Sequence, residues 1–233
     1  MANTALRNTT HDPLVLLVPG LNNSGPGHWQ TEWEARLPHC ARVDLGLWDN
    51  PHRNTWVNKL NLAIRRAERP VVLVGHSLGC LAIAWWAEYE LSREDGRPAE
   101  DSPVIGALLV APPDVEERAI DRRLTRFAPF PQGELPFRSI LVASRNDPYM
   151  RIGDARRLAR TWGASFADAG EAGHINAESG LGDWTFGRLL LNRLLPRPLA
   201  LDGATLGQGE GAALGQGPVA AFRPDHALRR LGA

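Results

Sequence analysis

The chain has 233 residues, enough for one compact domain with a sizeable core and a cleft but short for two full domains. Hydrophobic residues make up 43% and charged residues 22% of the sequence, which excludes disordered, fibrous and membrane compositions. Lysine plus arginine and aspartate plus glutamate each number 26, so the formal net charge is zero and we expect no nucleic-acid partner.

Six short apolar runs alternate with longer segments of helical periodicity along the chain, a pattern typical of βαβ units and a parallel sheet. Several runs are nearly continuous in Val, Leu and Ile, as expected for strands that are covered on both faces. The predicted strands are 14–18, 41–45, 71–74, 107–110, 139–142 and 165–168. The predicted helices are 28–37, 54–67, 78–91, 152–162 and 184–194. We therefore predict an α/β fold with about six mostly parallel strands and helices on both faces.

The chain divides into an N-terminal extension at 1–12, a domain at 13–196 and a flexible tail at 197–233 that is rich in Gly and Ala. Segment 112–137, rich in Pro and charge, is either a small lid or a plain surface crossover, with at most a short helix near 115–124. The crossover is the favoured interpretation. No apolar run approaches the roughly 20 residues of a membrane span, and the first ten residues do not resemble a secretory signal. We expect a cytoplasmic protein.

A G-x-S-x-G pattern at 75–79 follows the third predicted strand and precedes an apolar helix. In a nucleophile elbow, serine occupies a sharp turn and the flanking glycines let strand and helix approach closely. Ser77 is therefore the candidate nucleophile. His76 is its neighbour in sequence, but its side chain should point elsewhere, so we assign it to packing or support.

A serine nucleophile needs a base that is oriented by a third group. In elbow-type hydrolases the chain order is Ser, then Asp or Glu, then His. Asp147 follows the fifth predicted strand and His174 follows the sixth, at the sheet edge where open α/β folds collect ligands. Asp168 remains as an alternative acid, although it precedes His174 by too few residues to come from a separate strand.

Acyl transfer also needs hydrogen-bond donors for the developing oxyanion. We assign this role to the backbone N–H groups of Leu78, after the nucleophile, and Leu21, in the glycine-rich loop after the first strand. The candidates for the wall of the substrate pocket are Asn22, His28, Trp29, His76, Tyr149 and Ile175. The apolar members of this set could equally be buried beneath the pocket.

Five stretches of the sequence together resemble the small serine hydrolases related to retinoblastoma-binding protein 9, the YdeN-like branch of the α/β-hydrolases. These are residues 18–30, 75–79, 144–149, 173–180 and 183–184. The resemblance covers about 14–194 and implies a trimmed α/β-hydrolase fold with a minimal lid. It also implies Ser77, Asp147 and His174 as a catalytic triad. It implies no particular physiological substrate.

These features predict a serine hydrolase that cleaves a small ester, thioester or amide through an acyl-enzyme, with no cofactor and no metal. The partner is a small-molecule acyl substrate; the sequence neither assigns nor excludes a protein partner. Two alternatives stay open: a protein-binding module that keeps the fold with little catalysis, and an acyltransferase that uses the same triad.

Overall fold

A six-stranded parallel sheet forms the centre of the protein. The computed structural model describes residues 12–91, 102–117 and 119–199. The strands are β1 (Leu14–Val18), β2 (Cys40–Arg42), β3 (Val71–His76), β4 (Val104–Val110), β5 (Arg138–Ala143) and β6 (Ser165–Asp168). Their spatial order is β2-β1-β3-β4-β5-β6, and every neighbouring pair is parallel. The predicted fold class, an α/β-hydrolase fold with about six strands, is confirmed.

In the described part of the chain, five helices cover the two faces of this sheet. They are α1 (Trp29–Arg36), α2 (Arg53–Arg65), α3 (Leu78–Leu91), α4 (Ile152–Thr161) and α5 (Thr185–Asn192). Helices α2, α3 and α4 contribute Trp56, Leu81 and Leu158 to one core, while α1 and α5 contribute Trp33 and Leu191 to the other. The protein therefore has two apolar layers, one on each side of the sheet.

The central strands supply side chains to both of these layers. In β3, Val71 and Leu73 join the core under α2, α3 and α4, whereas Val72 and Val74 join the core under α1 and α5. Because side chains alternate between the faces of a strand, a strand that is covered on both faces must be apolar at every position. This requirement explains the unbroken apolar runs in the sequence.

The ends of some elements differ from those predicted. The second strand ends at Arg42 rather than at 45, because the chain leaves the sheet edge there and inserts Val43 and Leu45 into the core instead. β3 and β4 are longer than predicted, since β3 continues to His76 and β4 begins at Val104.

In the segment between β4 and β5, the described residues of 115–124 form no α-helix; Arg118 lies outside the described residues. Asp114 accepts a hydrogen bond from the N–H of Glu116, and Asp121 accepts one from the N–H of Arg123. Such local turns compete with helix formation. A single 3₁₀ turn, Leu124–Phe127, forms instead.

The carboxyl ends of the strands create the crevice in which the predicted site lies. The chain runs from β1 outward to β2 and then returns to place β3 on the other side of β1, so the topology switches direction between β1 and β3. Ligands of open α/β sheets bind outside the strand ends at such a point. Of the predicted extension and tail, residues 1–11 and 200–233 lie outside the described part. None of the described helices is both long and apolar enough to span a bilayer.

Candidate active site

Ser77 lies in a sharp turn between β3 and α3. Its φ of 52° is in the left-handed region, which is costly for a residue with a side chain. The backbone holds this conformation: the N–H of Ser77 donates to the carbonyl of Val110 at 2.8 Å. A Cβ on Gly79 would lie 2.7 Å from the carbonyl oxygen of Pro19, so only glycine lets α3 start this close to the β1 loop. The turn has the features of a nucleophile elbow.

The imidazole of His174 lies between Ser77 and Asp147. Its Nε2 is 2.9 Å from the Oγ of Ser77, and its Nδ1 is 3.0 Å from each carboxylate oxygen of Asp147. The side chains of His174 and Asp147 are only 9% and 2% exposed. The Tyr149 ring packs against the imidazole at 4.2 Å between centroids. The structure therefore brings the three predicted triad residues into one hydrogen-bonded chain.

The loops that carry Asp147 and His174 are tied together by polar side chains that the sequence analysis did not single out. Ser144 is fully buried, and its Oγ accepts a hydrogen bond from the N–H of Ala172 at 2.9 Å. The side-chain carbonyl of Asn146 accepts one from the N–H of Gly173 at 2.7 Å. Ser144 and Asn146 lie in the stretch 144–149, and the family resemblance of that stretch is the only feature of the sequence that points to them. They connect the loop after β5 to the loop after β6.

The two predicted oxyanion donors lie on adjoining pieces of backbone. A Cβ on Gly20 would lie 2.8 Å from the Cβ of Ser77 and 3.2 Å from the N of Leu78, which shows how closely the β1 loop approaches the elbow. Within the described ranges, no acceptor pairs with the backbone N–H of Leu21 or of Leu78. Neither N–H group is thus occupied by another described residue.

A pocket of about 730 Å³ opens over Ser77. Four of the six predicted wall residues line it: Asn22, His28, His76 and Tyr149. It is also lined by residues that the sequence analysis did not single out, including Ile120 and Leu124 of the β4–β5 segment and Glu171 and Glu178 near His174. The β4–β5 segment thus contributes part of the pocket wall.

Trp29 and Ile175 do not line this pocket. Both are fully buried, and the indole N–H of Trp29 donates to the carbonyl of Ile175 at 2.8 Å. They lie beneath the pocket, which is the second of the two placements considered for the apolar candidates. Their hydrogen bond connects α1 to the turn that follows His174.

The carboxylate of Asp168 forms no hydrogen bond with His174 among the described residues. Its carboxylate pairs with Arg145 at 3.1 Å and with Arg156 at 3.5 Å. Although partial burial opposes the shift, the N–H of Gly170 and the guanidinium of Arg145 hold the pKa of Asp168 below its usual value. Its partners are therefore two arginines and a backbone N–H, and none of them belongs to the chain of hydrogen bonds at Ser77.

Two further buried histidines lie near the site: the His76 ring packs beside His174, and the His28 ring packs against His76. Burial, assisted by the charge of Arg42, lowers the pKa of His28 to about 4. Burial also lowers the pKa of His76 well below its ordinary value, so both rings are neutral near pH 7. Since a neutral imidazole has one donor nitrogen, the His76 Nε2 that lies 3.0 Å from the carbonyl oxygen of His174 must carry the proton.

The arrangement has the parts that acyl transfer requires. A hydroxyl that is hydrogen-bonded to a carboxylate-oriented imidazole can act as a nucleophile, and two free backbone N–H groups can stabilise an oxyanion. Within residues 12–91, 102–117 and 119–199, no cluster of three or more His, Cys, Asp or Glu side chains could hold a metal ion.

Comparisons with known proteins agree with this geometry. A family model described as serine hydrolase matches residues 15–193. A solved structure described as a YdeN-like hydrolase from Pectobacterium atrosepticum is 34% identical, with a TM-score of 0.65 over 78% of this chain and 92% of that chain. The ydeN gene product of B. subtilis is 19% identical, with a TM-score of 0.62 over 78% of this chain and 98% of that chain. No curated protein sequence matched.

The family match covers well over half of the chain, and the Pectobacterium structure is matched over nearly all of its own length. The resemblance found in the sequence is thereby confirmed. The chain is a hydrolase that belongs to the serine hydrolase family, in the YdeN-like group of the α/β-hydrolase superfamily.

Proposed function

We propose that the protein hydrolyses a small ester, thioester or amide through an acyl-enzyme on Ser77, with His174 as the base and Asp147 as the orienting acid. The observation that carries this proposal is the chain of hydrogen bonds from Ser77 Oγ through His174 to Asp147, at 2.9 Å and 3.0 Å. Within the described ranges, no other serine side chain forms a hydrogen bond with an imidazole.

In the first half of the reaction, the Oγ of Ser77 attacks the substrate carbonyl carbon while Nε2 of His174 takes the hydroxyl proton. The carbonyl oxygen becomes an oxyanion that accepts hydrogen bonds from the backbone N–H groups of Leu21 and Leu78. The imidazolium then donates this proton to the leaving alcohol, thiol or amine as the bond between the leaving group and the carbonyl carbon breaks. Asp147 stabilises the imidazolium and keeps the proton on Nδ1 beforehand.

In the second half, water takes the place of the departed group. His174 accepts a proton from the water as its oxygen attacks the acyl carbon, and the same proton then returns to Ser77 Oγ as the ester bond breaks. The products are a carboxylic acid and the free enzyme. Every proton that leaves a nucleophile passes through the one imidazole, so the mechanism needs no further acid or base.

The pocket supports a small-molecule substrate. Its volume of about 730 Å³ falls in the range of sites that enclose a small molecule. Leu21, Leu124 and Tyr149 provide apolar surface beside the nucleophile, while Asn22 and His174 provide polar groups. An acyl group of modest size, with its carbonyl directed between Ser77 and the backbone donors, is the substrate class that this pocket fits.

Covalent labelling with a fluorophosphonate probe tests the proposal. Wild-type protein should be labelled and should hydrolyse p-nitrophenyl esters, because the probe reacts with an activated serine. Ser77→Ala should lose the label, and its turnover should fall by at least about 10³-fold. Absence of labelling in folded wild-type protein, or equal labelling of Ser77→Ala, contradicts the assignment.

Ser139→Ala is a matched control for this experiment. Ser139 is buried at the start of β5, and its hydroxyl donates only to the carbonyl of Phe137 at 3.1 Å. This variant removes the same hydroxyl group from a site remote from the pocket. It should keep both the label and the turnover of the wild type.

A further inference from the structure

His76 connects the nucleophile turn to the backbone of the base. It is the residue directly before Ser77, and its Nε2 lies 3.0 Å from the carbonyl oxygen of His174. Its ring packs beside that of His174, with 5.0 Å between the centroids. The side chain thus reaches across from β3 to the loop after β6, although it takes no part in the chemistry proposed above.

The environment of His76 fixes its orientation and its proton. The residue is 5% exposed, and the rings of His28 and Trp29 lie at 4.6 Å and 6.1 Å from its own. A buried neutral ring whose Nε2 faces a carbonyl oxygen must donate from that nitrogen. The hydrogen bond therefore has a fixed direction, from His76 to the backbone of His174.

The backbone around His174 depends on such support. The flanking residues Gly173 and Ile175 both have positive φ, at 57° and 49°, so the turn that presents the imidazole is an uncommon one. Side chains hold the two successive carbonyls of this turn: His76 holds that of His174, and Trp29 holds that of Ile175 at 2.8 Å. The first of these two bonds acts on the residue that carries the base.

We propose that His76 is a positioning residue for the base: its Nε2–H fixes the His174 carbonyl and so keeps the imidazole within reach of both Ser77 and Asp147. This inference rests on the function proposed above. A misplacement of catalytic groups by about 1 Å can cost on the order of 10²-fold in rate. A residue that only fills space would not have this effect, since an apolar side chain of similar size would replace it.

Three substitutions separate positioning from packing. His76→Leu fills much of the ring volume but cannot donate, and the amide nitrogen of His76→Asn is too close to the backbone to reach the carbonyl. His76→Gln places an N–H near the original Nε2. In the Leu and Asn variants, we expect kcat for a p-nitrophenyl ester to fall about 10²-fold and KM to change by less than about threefold. In the Gln variant, kcat should stay within about tenfold of wild type.

The low-field proton NMR signal of His174 Nδ1–H gives a second measurement. This proton lies in the hydrogen bond to Asp147, so it should shift or broaden in the Leu and Asn variants and persist in the Gln variant. A folded Leu or Asn variant with wild-type kcat overturns the inference. So does an equal loss in all three variants with the low-field signal unchanged, because the loss would then depend neither on an N–H donor at this position nor on the placement of His174.

Wild-type protein tests the inference without any substitution. Nitrogen-15 NMR of the histidine rings at pH 7 should show His76 as the neutral Nε2–H tautomer; an imidazolium or an Nδ1–H tautomer overturns the proposal. Failure of the inference is distinguishable from failure of the function. If Ser77→Ala is inactive while the His76 variants remain fully active, only the positioning role is lost, whereas an active Ser77→Ala removes the proposed function itself.

Discussion

At the scale of single residues, the contact between Asp147 and His174 sets which nitrogen of the imidazole carries the proton. Both carboxylate oxygens lie 3.0 Å from Nδ1, and a carboxylate can only accept. The proton is therefore held on Nδ1, and the lone pair on Nε2 faces Ser77. An asparagine at this position could present its N–H₂ group instead and stabilise the opposite tautomer.

Asp147→Asn should consequently reduce kcat by about 10⁴-fold while the geometry of the site is retained. Steady-state hydrolysis of a p-nitrophenyl ester measures kcat and KM, and the thermal unfolding midpoint shows whether the variant keeps the stability of the wild type. The fall should lie in kcat, because the substitution leaves the pocket wall unchanged.

Asp168→Asn is the matched control, since Asp168 was the competing acid in the sequence. Its partners are Arg145 and Arg156, whose side chains are 62% and 53% exposed, and ion pairs with such exposed groups contribute little. Turnover should stay within about threefold of wild type. A harmless Asp147→Asn beside a crippling Asp168→Asn would reverse the assignment of the acid.

Chain order and strand ends were enough to select Ser77, Asp147 and His174 as candidates from the sequence. Ser144 and Asn146 show what that reasoning misses, because their task depends on how two loops approach each other in space. Neither residue has a reactive side chain or a diagnostic spacing. The burial of Trp29 and Ile175 beneath the pocket likewise follows from the packing of α1 against the β6 loop, which no local pattern encodes.

At the scale of elements, the junction between β3 and α3 depends on the absence of side chains. A Cβ on Gly79 would meet the backbone carbonyl oxygens of Val18 and Pro19, which cannot move without displacing β1 and the loop that follows it. That loop carries Leu21, so the same close approach also places one of the proposed oxyanion donors. A side chain at position 79 should therefore affect both the free energy of unfolding and the rate of hydrolysis.

Gly79→Ala should lower the free energy of unfolding by about 3 kcal/mol, because the added methyl group overpacks a backbone contact. Urea denaturation gives the free energy, and ester hydrolysis should fall with it as the β1 loop is displaced. Unchanged stability would show that the junction is looser than the structure indicates.

Gly153→Ala is the control at this scale. Gly153 lies in α4 with no atom within 4 Å of an added Cβ, so alanine should fit there without strain. Alanine is favoured over glycine in helices by up to about 1 kcal/mol, so this variant should be neutral or stabilising. A loss of stability in Gly79→Ala without a loss in Gly153→Ala would show that the close approach of α3 to the end of β1 causes the effect.

Most elements could be predicted from the sequence because a buried parallel sheet leaves a strong signal. β3 is apolar at four successive positions, and α3 is apolar around most of its circumference, since both are enclosed. The edge strand β2 and the β4–β5 segment have weaker patterns. Their courses are decided by insertion of Val43 into the core and by the turns at Asp114 and Asp121, which are tertiary and side-chain effects.

At the scale of the whole molecule, folding encloses two neutral histidines, and this makes stability depend on pH. His28 has a pKa of about 4 in the folded protein against an ordinary value of 6.5, with burial as the main cause. Between these values the unfolded chain binds a proton that the folded protein does not. The contribution of neutral His28 to the free energy of unfolding is therefore fully present above about pH 6.5 and is lost as the pH falls toward 4.

The expected loss from His28 between pH 7 and pH 4 is about 3 kcal/mol. The shift at His76 has the same sign and adds to the loss. Urea unfolding followed across this pH range measures the total, which also includes the protonation of carboxylates. A substitution that removes only the His28 contribution is therefore required.

His28→Asn supplies this comparison. The Nδ1 of His28 accepts a hydrogen bond from the N–H of Gln30 at the start of α1, and asparagine is a favoured residue at this cap position. The variant keeps the cap but has no group that titrates, so its stability should fall by about 3 kcal/mol less than that of the wild type between pH 7 and pH 4. Carboxylate protonation is common to both proteins and cancels. Parallel stability curves for the two proteins would mean that His28 is protonated as readily when folded as when unfolded, and that its burial carries no electrostatic cost.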